Sequence, residues 1–454
     1  MNLLLRVGGR RPERVGYVND SMTRNTVTWQ PVEVPMTVDT NRRRFLQTLA
    51  VGSVAHPLLA GRPAAAQSHT GEGPEALWEE VRRQFAFRDE RVPLNAANLC
   101  PSPRVVAERV SELTRDIDVD CSFPSRAKFG PLLETSREAV AAQLGVTADE
   151  IALVRNTSEA NNVVNAGLPL DAGDEVVVWD QNHPTNNVAW EVRAARYGSA
   201  VKKVTTPAAP SGVDELVGVF ERALSPRTRV LALTHVSNVS GLRLPVRELC
   251  EVAHRRGIHV HVDGAQSWGA MDVDLRDLGC DSFTGSAHKW FMGPKEVGLL
   301  YVRADRVEAI WPSVVAPSWG SAVEPRTKGA RKFESLGQRD DAALAAVGTT
   351  VAFQNRLGMK RIEARVVELA TMLKTGLKEA GFELVTPLEP ALSGGVAIAV
   401  VDSARRGAFV NALYERHGIA GAATGGLRLC PHVYNTAEHV ARAVAGAKAL
   451  RSSV

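Results

Sequence analysis

Residues 258–269 read IHVHVDGAQSWG, an apolar run that ends on the acid Asp263. Residues 175–179 (EVVVW) and 229–234 (RVLALT) are short apolar runs of the same kind, and helical patterns such as that of residues 245–256 separate them. Alternation of this type predicts buried strands of a mostly parallel sheet with helices on both faces. Because such sheets bind ligands beyond the carboxyl ends of their strands, Asp263 is expected to lie in a functional site.

A second stretch, DSFTGSAHKW at residues 281–290, places Lys289 on a turn rich in small residues. Taken singly, an acid at a strand end is usually a turn or helix cap, and a lysine is usually a solvated surface group. In this order, the two suit pyridoxal phosphate (PLP). That cofactor needs an amine for a Schiff base, a carboxylate beside its pyridine nitrogen, and small hydroxyl residues for its phosphate.

Three further motifs precede these stretches: TSEAN at residues 157–161, NHPTN at 182–186 and SNVSG at 237–241. All five stand in the order typical of the class V aminotransferase family, which the chain resembles over nearly all of its length after residue 66. That family also contains cysteine desulfurases and isopenicillin N epimerase. The resemblance implies an α/β fold, the PLP-dependent transferase fold of type I. Its large domain is an α/β/α sandwich around a mostly parallel sheet of seven strands, beside a smaller C-terminal α/β domain.

The resemblance implies catalytic roles for three residues. Lys289 is expected to carry PLP as a Schiff base, Asp263 to keep the ring nitrogen protonated, and His183 to stack on the ring. Gln266 is expected to contact the phenolic oxygen of the cofactor. A carboxylate suits the ring nitrogen because a nearby negative charge favours the protonated pyridine, which accepts electrons.

Further residues are implied for the cofactor phosphate and for the substrate. A helix N-terminus with hydroxyl and imidazole groups is expected to hold the phosphate, through Thr157, Ser158, Ser286 and His288. Asn238 is expected beside both cofactor and substrate, and Arg428 is expected to bind the substrate α-carboxylate through two parallel hydrogen bonds. The family resemblance also implies a homodimer. No metal site is predicted.

Two positions depart from the family pattern. Gln338 stands where the family often has a threonine that contacts the phosphate across a dimer interface. In addition, residues 418–427 contain no cysteine, although the desulfurases carry a nucleophilic cysteine shortly before the clamping arginine. Cys430 lies beyond Arg428. Desulfuration through a persulfide is therefore disfavoured.

Composition excludes several other classes of function. The chain has 454 residues, enough for two or three packed units, and its 44% hydrophobic and 23% charged residues are ordinary for a globular protein. The net charge of +4 is spread along the chain without a nucleic-acid motif, so nucleic-acid binding is not expected. No apolar run is long enough for a membrane span. The five separated cysteines form no C-x-x-C pair.

The predicted domains follow the change of pattern along the chain. We expect residues 105–325 to form the large PLP-binding domain and residues 326–454 the small domain, with residues 67–104 packing on the small domain. Within the small domain, helices are predicted over residues 341–357, 361–380 and 437–449, and a strand over residues 395–400.

The N-terminal region has the residue pattern of an export signal. Residues 41–46 read NRRRFL, directly before a mildly apolar stretch, and three alanines follow at 64–66. This order of basic, apolar and small residues resembles a twin-arginine signal peptide. We expect residues 36–66 to be that signal, and residues 1–35 to be a mis-called or disordered extension.

Several reactions share the predicted site. We expect an exported, periplasmic PLP enzyme that acts at the α-carbon or amino group of an amino acid or peptide, with amino transfer as the leading reaction. An epimerase related to isopenicillin N epimerase, or a C–S or β-elimination lyase, is the alternative. Export points to the tailoring of a secondary metabolite such as a siderophore, an inference by analogy. A non-catalytic PLP-binding sensor is the alternative of another class.

Export can be tested directly. Replacing the arginines at 42, 43 and 44 by lysine should abolish periplasmic location of a reporter fusion, and the wild-type mature protein should begin near Gln67. The twin-arginine route reads the arginine side chains and not charge alone. Cell fractionation and N-terminal sequencing are the measurements. An unprocessed, cytoplasmic wild-type product in the native host would contradict the expectation.

Overall fold

The computed structural model describes residues 75–316 and 327–451. The predicted extension (1–35) and signal peptide (36–66) lie outside the described residues, as do residues 67–74 of the N-terminal segment and 452–454 of the small domain. The proposed boundaries of the large and small domains stay predictions.

A seven-stranded sheet forms the centre of the fold, in the order β2-β8-β7-β6-β5-β3-β4. All neighbouring strands are parallel except at β8, which is antiparallel to both β2 and β7. The strands are β2 (Ile151–Val154), β3 (Glu175–Trp179), β4 (Ala200–Val204), β5 (Thr228–Thr234), β6 (His259–Asp263), β7 (Ser282–Ser286) and β8 (Gly298–Val302). The prediction of a mostly parallel α/β sheet is confirmed.

Two short sheets lie outside the large one. Strand β1 (Val92–Pro93) pairs in parallel with β10 (Ile419–Ala420), and β9 (Ala397–Ala399) pairs antiparallel with β11 (Leu427–Leu429). The first pairing joins the N-terminal part of the described chain to its C-terminal part. One apolar cluster contains residues from both, including Val92, Leu373 and Leu413.

The helices follow in chain order. They are α1 (Ala76–Arg83), α2 (Arg104–Val119), α3 (Phe123–Arg126), α4 (Phe129–Gln143), α5 (Thr157–Gly167), α6 (Pro184–Tyr197), α7 (Val213–Ala223), α8 (Val246–His254), α9 (Leu275–Leu278), α10 (Asp341–Ala345), α11 (Val347–Leu357), α12 (Met359–Glu379), α13 (Arg406–His417) and α14 (Ala437–Leu450). Within the described parts of the chain, no helix is long and apolar enough to cross a membrane.

The predicted elements are present, but one helix is divided and the strand predicted over residues 395–400 is shorter, at Ala397–Ala399. The three predicted strands of the large sheet and the last helix are present, with ends that shift by one residue at most. The single helix predicted over residues 341–357 is wrong, because it is divided at Ala346 into α10 and α11. The Asp340 side chain caps the first of these by accepting from the Ala343 amide.

Helix starts at the sheet edge have clear local causes. Asn156 caps α5, since its side chain accepts a hydrogen bond from the Glu159 amide at 3.0 Å. His183 caps α6 in the same way and Pro184 occupies the first turn, where a missing N–H costs nothing. Helix α6 ends at Gly198, whose φ of 81° is the left-handed conformation that favours glycine. These caps bring Asn156 and His183 to the carboxyl ends of β2 and β3.

A buried ion cluster lies at the opposite edge of the sheet, where β7 begins. The carboxylate of Asp281, just before β7, accepts from the Val260 amide at 2.7 Å and His254 Nε2 at 2.9 Å. It also faces Arg303 at 2.8 Å and Arg306 at 3.1 Å. Burial opposes ionisation, but the His254 hydrogen bond, nearby His259, the backbone amide and Arg303 outweigh it and hold the pKa of Asp281 well below its usual range.

Asp281→Asn should lower the free energy of unfolding by about 3 kcal/mol at neutral pH, the low end for breaking a buried ion pair, because both arginines are partly exposed. The folded pKa lies below the unfolded value, so this stabilisation is present above about pH 4 and is lost as pH falls through the folded pKa. Urea unfolding at several pH values is the measurement.

Asp305→Asn is the matched control, since exposed Asp305 faces the same two arginines. It should cost less than about 1 kcal/mol. Equal losses for the two variants would contradict the importance of the buried cluster.

Candidate active site

The carboxyl ends of three adjacent strands meet at one cavity. Thr234, Asp263 and Ser286 are the last residues of β5, β6 and β7, and all three line it. Thr234 and Asp263 are direct partners across the two strands. This is the edge at which a parallel sheet is expected to bind its ligand.

The structure brings nine of the ten predicted site residues to the wall of this cavity. They are Thr157, Ser158, His183, Asn238, Asp263, Gln266, Ser286, His288 and Lys289. The tenth, Arg428, is not part of the wall but contacts Asn238, which is. Residues from five strand ends and their following turns therefore converge as predicted.

The proposed phosphate end of the cavity is a helix N-terminus with hydroxyl groups. The Thr157 amide donates to Ser286 Oγ at 2.9 Å, and the two hydroxyls lie 2.8 Å apart, which ties α5 to the end of β7. Ser158 follows in the first turn of α5. Exposed N–H groups and the positive end of the helix dipole make such a terminus an anion site.

Asp263 is buried and its carboxylate is held on both oxygens. Oδ1 accepts from the Ala265 amide at 3.0 Å, and Oδ2 accepts from Asn161 Nδ2 at 3.0 Å. Hydrogen bonds of this kind favour the charged form of a buried carboxyl group. Asp263 thus presents an oriented carboxyl group to the cavity.

Lys289 lines the same cavity and interacts electrostatically with Asp263. Burial lowers the pKa of Lys289, the negative charge of Asp263 opposes this, and the positive charge of Arg428 lowers it further. The net direction is downward. A depressed pKa leaves more of the amine in its free, nucleophilic form at neutral pH.

His183 is oriented by its own helix. Its Nδ1 accepts from the Thr185 amide at 3.3 Å and lies 2.8 Å from the Thr185 hydroxyl. Burial and the charge of Lys289 lower the pKa of His183, against the effect of Asp263. A neutral His183 with an accepting Nδ1 carries its proton on Nε2.

His288 is likewise held as a neutral ring. Burial first, and the charge of Lys289 second, lower the pKa of His288 to about 4. Its Nδ1 lies 3.2 Å from the carbonyl oxygen of Lys295, which only accepts, so the proton of the neutral ring is on Nδ1.

The amide of Gln266 is more constrained than the sequence indicates. Its Oε1 accepts from Trp290 Nε1 at 2.8 Å, and its Nε2 donates to the Ala97 carbonyl at 3.1 Å. An amide nitrogen has two hydrogens, so one remains for a ligand oxygen. The expected contact to a phenolic oxygen is therefore compatible with these bonds.

Arg428 on β11 is buried and anchored by two distant segments. It donates to the Asn238 carbonyl at 3.1 Å and to Asn95 Oδ1 at 3.2 Å. Its Nε has no hydrogen-bond partner among the described residues. A buried arginine with unused N–H groups can bind a carboxylate by donating hydrogen bonds to it.

Gln338 is not part of the cavity wall. Its Oε1 accepts from Arg126 at 2.9 Å and its Nε2 donates to the Arg339 carbonyl at 2.8 Å. Both ends of the amide are thus used within one chain. Whether it serves a partner subunit stays a prediction.

The cavity also has wall residues that sequence reasoning missed: Asn98, Asn156, Thr185, Thr234 and Ala265. Thr234 had a usable signal, because it ends a predicted strand beside Asp263. Asn98 had none, since the N-terminal segment reaches the site only through tertiary packing.

Comparisons with known proteins agree with this geometry. The profile described as aminotransferase class-V matches residues 101–453. The chain belongs to the class V aminotransferase family. It is 34% identical over 394 residues to isopenicillin N epimerase of Amycolatopsis lactamdurans, covering 82% of this chain and 98% of that one. It is 31% identical over 304 residues to a probable cysteine desulfurase of Methanothermobacter thermautotrophicus, covering 65% and 74%.

The fold agrees with solved structures as well. A mutant of C-DES with glycine covalently linked to its PLP cofactor superposes with a TM-score of 0.74 at 24% identity, covering 81% of this chain and 98% of that one. The predicted family, the type I fold and a PLP-dependent class V enzyme are thereby confirmed. Membership in this enzyme family also disfavours the non-catalytic sensor. The individual residue roles stay predictions.

The donor set fits the cofactor of the class V family. Thr234 Oγ1 is buried in the cavity wall without a hydrogen-bond partner among the described residues, as expected of a group that serves a ligand. PLP would be held by Lys289 through its aldehyde carbon, by Asp263 at its ring nitrogen, and by the α5 terminus at its phosphate. Among the described residues, no His, Cys, Asp and Glu cluster could hold a metal ion.

The cysteines are poorly suited to nucleophilic work. Cys100, Cys250, Cys280 and Cys430 are buried, and burial raises the pKa of each thiol. Cys121 is exposed but does not line the cavity. The thiolate is the reactive form, so these positions support the prediction against persulfide chemistry.

Lys289→Ala should remove the covalent link to PLP. Wild-type protein should show visible absorbance that borohydride bleaches, and the variant should lack it. Lys295→Ala is the control, because Lys295 follows the same turn but lies outside the cavity wall. Absorption spectra before and after reduction, with mass spectrometry of the reduced protein, are the measurements. A reducible link that persists without Lys289 would contradict the assignment.

Proposed function

We propose that this chain is an exported PLP enzyme that breaks a bond at the α-carbon of an amino acid or peptide with a free α-carboxylate. The arrangement of Lys289, Asp263 and Arg428 carries the proposal. Lys289 supplies the amine, Asp263 the negative charge, and Arg428 the cationic site for a carboxylate, all within electrostatic reach of one another.

When bound, PLP supplies an electron sink for the bond that breaks. The protein supplies orientation and proton transfer. Lys289, with a lowered pKa, is suited to take a proton from the α-carbon once its amine is free. His183, neutral and with its proton on Nε2, is suited to donate. Arg428 fixes the carboxylate and so determines which bond at the α-carbon faces the cofactor.

Amino transfer, epimerisation and β-elimination all start with removal of the α-proton. Amino transfer is the reaction that the sequence analysis placed first. Epimerisation is favoured by a separate observation, the 34% identity to isopenicillin N epimerase over 98% of that protein. The two can be separated by incubating candidate amino acids and peptides in deuterium oxide. Epimerisation returns a substrate of inverted configuration with deuterium at the α-carbon, whereas amino transfer yields a keto acid.

Export and substrate class belong to the same proposal. The twin-arginine pattern before residue 66 supports action outside the cytoplasm, where common keto-acid acceptors are scarce. Tailoring of an exported peptide or siderophore suits the location, and the carboxylate site favours a substrate whose reacting residue keeps a free α-carboxylate. A homodimer is part of the proposal on family grounds.

Arg428→Lys should separate substrate binding from cofactor binding. A lysine cannot form the two parallel hydrogen bonds of a guanidinium, so KM for substrates with a free α-carboxylate should rise by about tenfold or more. The visible absorbance of the cofactor should be unchanged. Steady-state kinetics and absorption spectra are the measurements.

A substrate joined through its α-carboxylate is the internal control and should be nearly indifferent to the change. Loss of cofactor binding in the variant would show that Arg428 is structural and would contradict the proposed substrate site.

A further inference from the structure

A polar stripe crosses two neighbouring strands behind the cavity. His259, His261 and Asp263 alternate along β6, so their side chains lie on one face of the sheet, and Ser282 and Thr284 of β7 lie beside them. The intervening residues, including Val260, Val262 and Phe283, belong to the apolar core on the other face. Apolar residues would serve packing equally well at the stripe, so its polarity calls for an explanation.

Helix α5 places one amide on this stripe. The side chain of Asn161 is fully buried. Its Oδ1 lies 2.8 Å from the Thr284 hydroxyl and 3.1 Å from His261 Nε2, while its Nδ2 lies 3.0 Å from Asp263 Oδ2. The reverse orientation would set the amide oxygen against a carboxylate oxygen. The amide must therefore accept from the stripe and donate to Asp263.

The direction of the remaining bonds follows from that orientation. Because Asn161 Oδ1 only accepts, His261 carries its proton on Nε2, and its Nδ1 accepts from the Ser282 hydroxyl at 2.8 Å. Ser282 in turn lies 3.1 Å from His259 Nε2, which donates. Burial lowers the pKa of His261 to about 3 and that of His259 to about 4, so both rings are neutral.

Every hydrogen bond in this series, from His259 through Ser282, His261 and Asn161, is donated in the direction of Asp263. We propose that Asn161 is a positioning residue that holds Asp263 as an oriented acceptor for the ring nitrogen of the cofactor, and that Thr284 and His261 set its orientation. The inference rests on the proposed function, since Asp263 has this partner only when PLP is bound. The charged and titratable groups from other elements that interact with Asp263 are Lys289 and His183, and Arg428 interacts with both of them.

Loss of the Asn161 bond should make Asp263 more basic. Hydrogen bonds donated to a carboxylate stabilise its charged form, so without this one the carboxyl group competes better for the proton on the ring nitrogen. Asn161→Leu keeps a similar volume and removes the donor. The titration curve of the ring nitrogen should therefore show a smaller protonated fraction at the same pH, because the equilibrium that divides the shared proton moves toward Asp263 by roughly tenfold.

The ring nitrogen can be observed directly. Apo-protein is loaded with PLP that carries nitrogen-15 in the ring, and its chemical shift is followed against pH. Asn165→Leu is the matched control, because Asn165 is also buried on α5, one turn further along, and does not contact Asp263. It should titrate like the wild type. Thermal unfolding establishes that each variant is folded.

Thr284→Val provides a second test, and its result decides the proposal if Asn161→Leu does not fold. It removes one of the two donors to Asn161 Oδ1 and should shift the titration in the same direction by less. A wild-type titration in folded Asn161→Leu, or in Thr284→Val if only that variant folds, overturns the role of Asn161. Wild-type protein that does not bind PLP overturns the proposed function instead.

Discussion

The buried carboxylate of Asp263 is the constraint on which the rest of the site depends. An unpaired charge at 1% exposure would be costly, so the fold surrounds it with donors and cations. The Ala265 amide and Asn161 hold its oxygens, and Lys289 and Arg428 supply positive charge nearby. Any element that moved Asp263 would leave these partners unpaired as well. The sheet edge is therefore rigid where the chemistry requires it.

Much of this arrangement was predictable from sequence, for a physical reason. The carboxyl ends of parallel strands lie at the same edge of the sheet. Apolar runs that end on a polar residue therefore indicate which side chains lie together at that edge. Asp263 was found in this way, and Lys289 was found on the turn that follows in the sequence. Ser286 and His183 came from the family resemblance and not from the pattern of an element. A functional residue at the end of a regular strand or helix can be predicted from the sequence pattern of that element.

The parts that escaped prediction depend on contacts between distant segments. Asn98 lines the cavity and follows β1, whose pairing with β10 is too short to leave a periodic signal. The engagement of Gln266 by Trp290 and Ala97 arises in the same way. No proline marks the division of the predicted 341–357 helix at Ala346, and Gly348 lies two residues later, inside α11.

The site therefore has two halves that differ in how far substitutions disturb the fold. One half lies on regular strands, and the other is positioned by contacts between distant segments. The cofactor half is built on β5, β6 and β7, whose side chains also form the core, so substitutions there disturb the fold. The proposed substrate half depends on Arg428, whose guanidinium is anchored by Asn95 and Asn238 from segments far apart in sequence. Small changes in these loops can reorient the guanidinium without moving Asp263 or Lys289. Under the proposed function, the position of the carboxylate relative to the cofactor determines which bond breaks, so changes at these anchors would change the reaction and not the cofactor site.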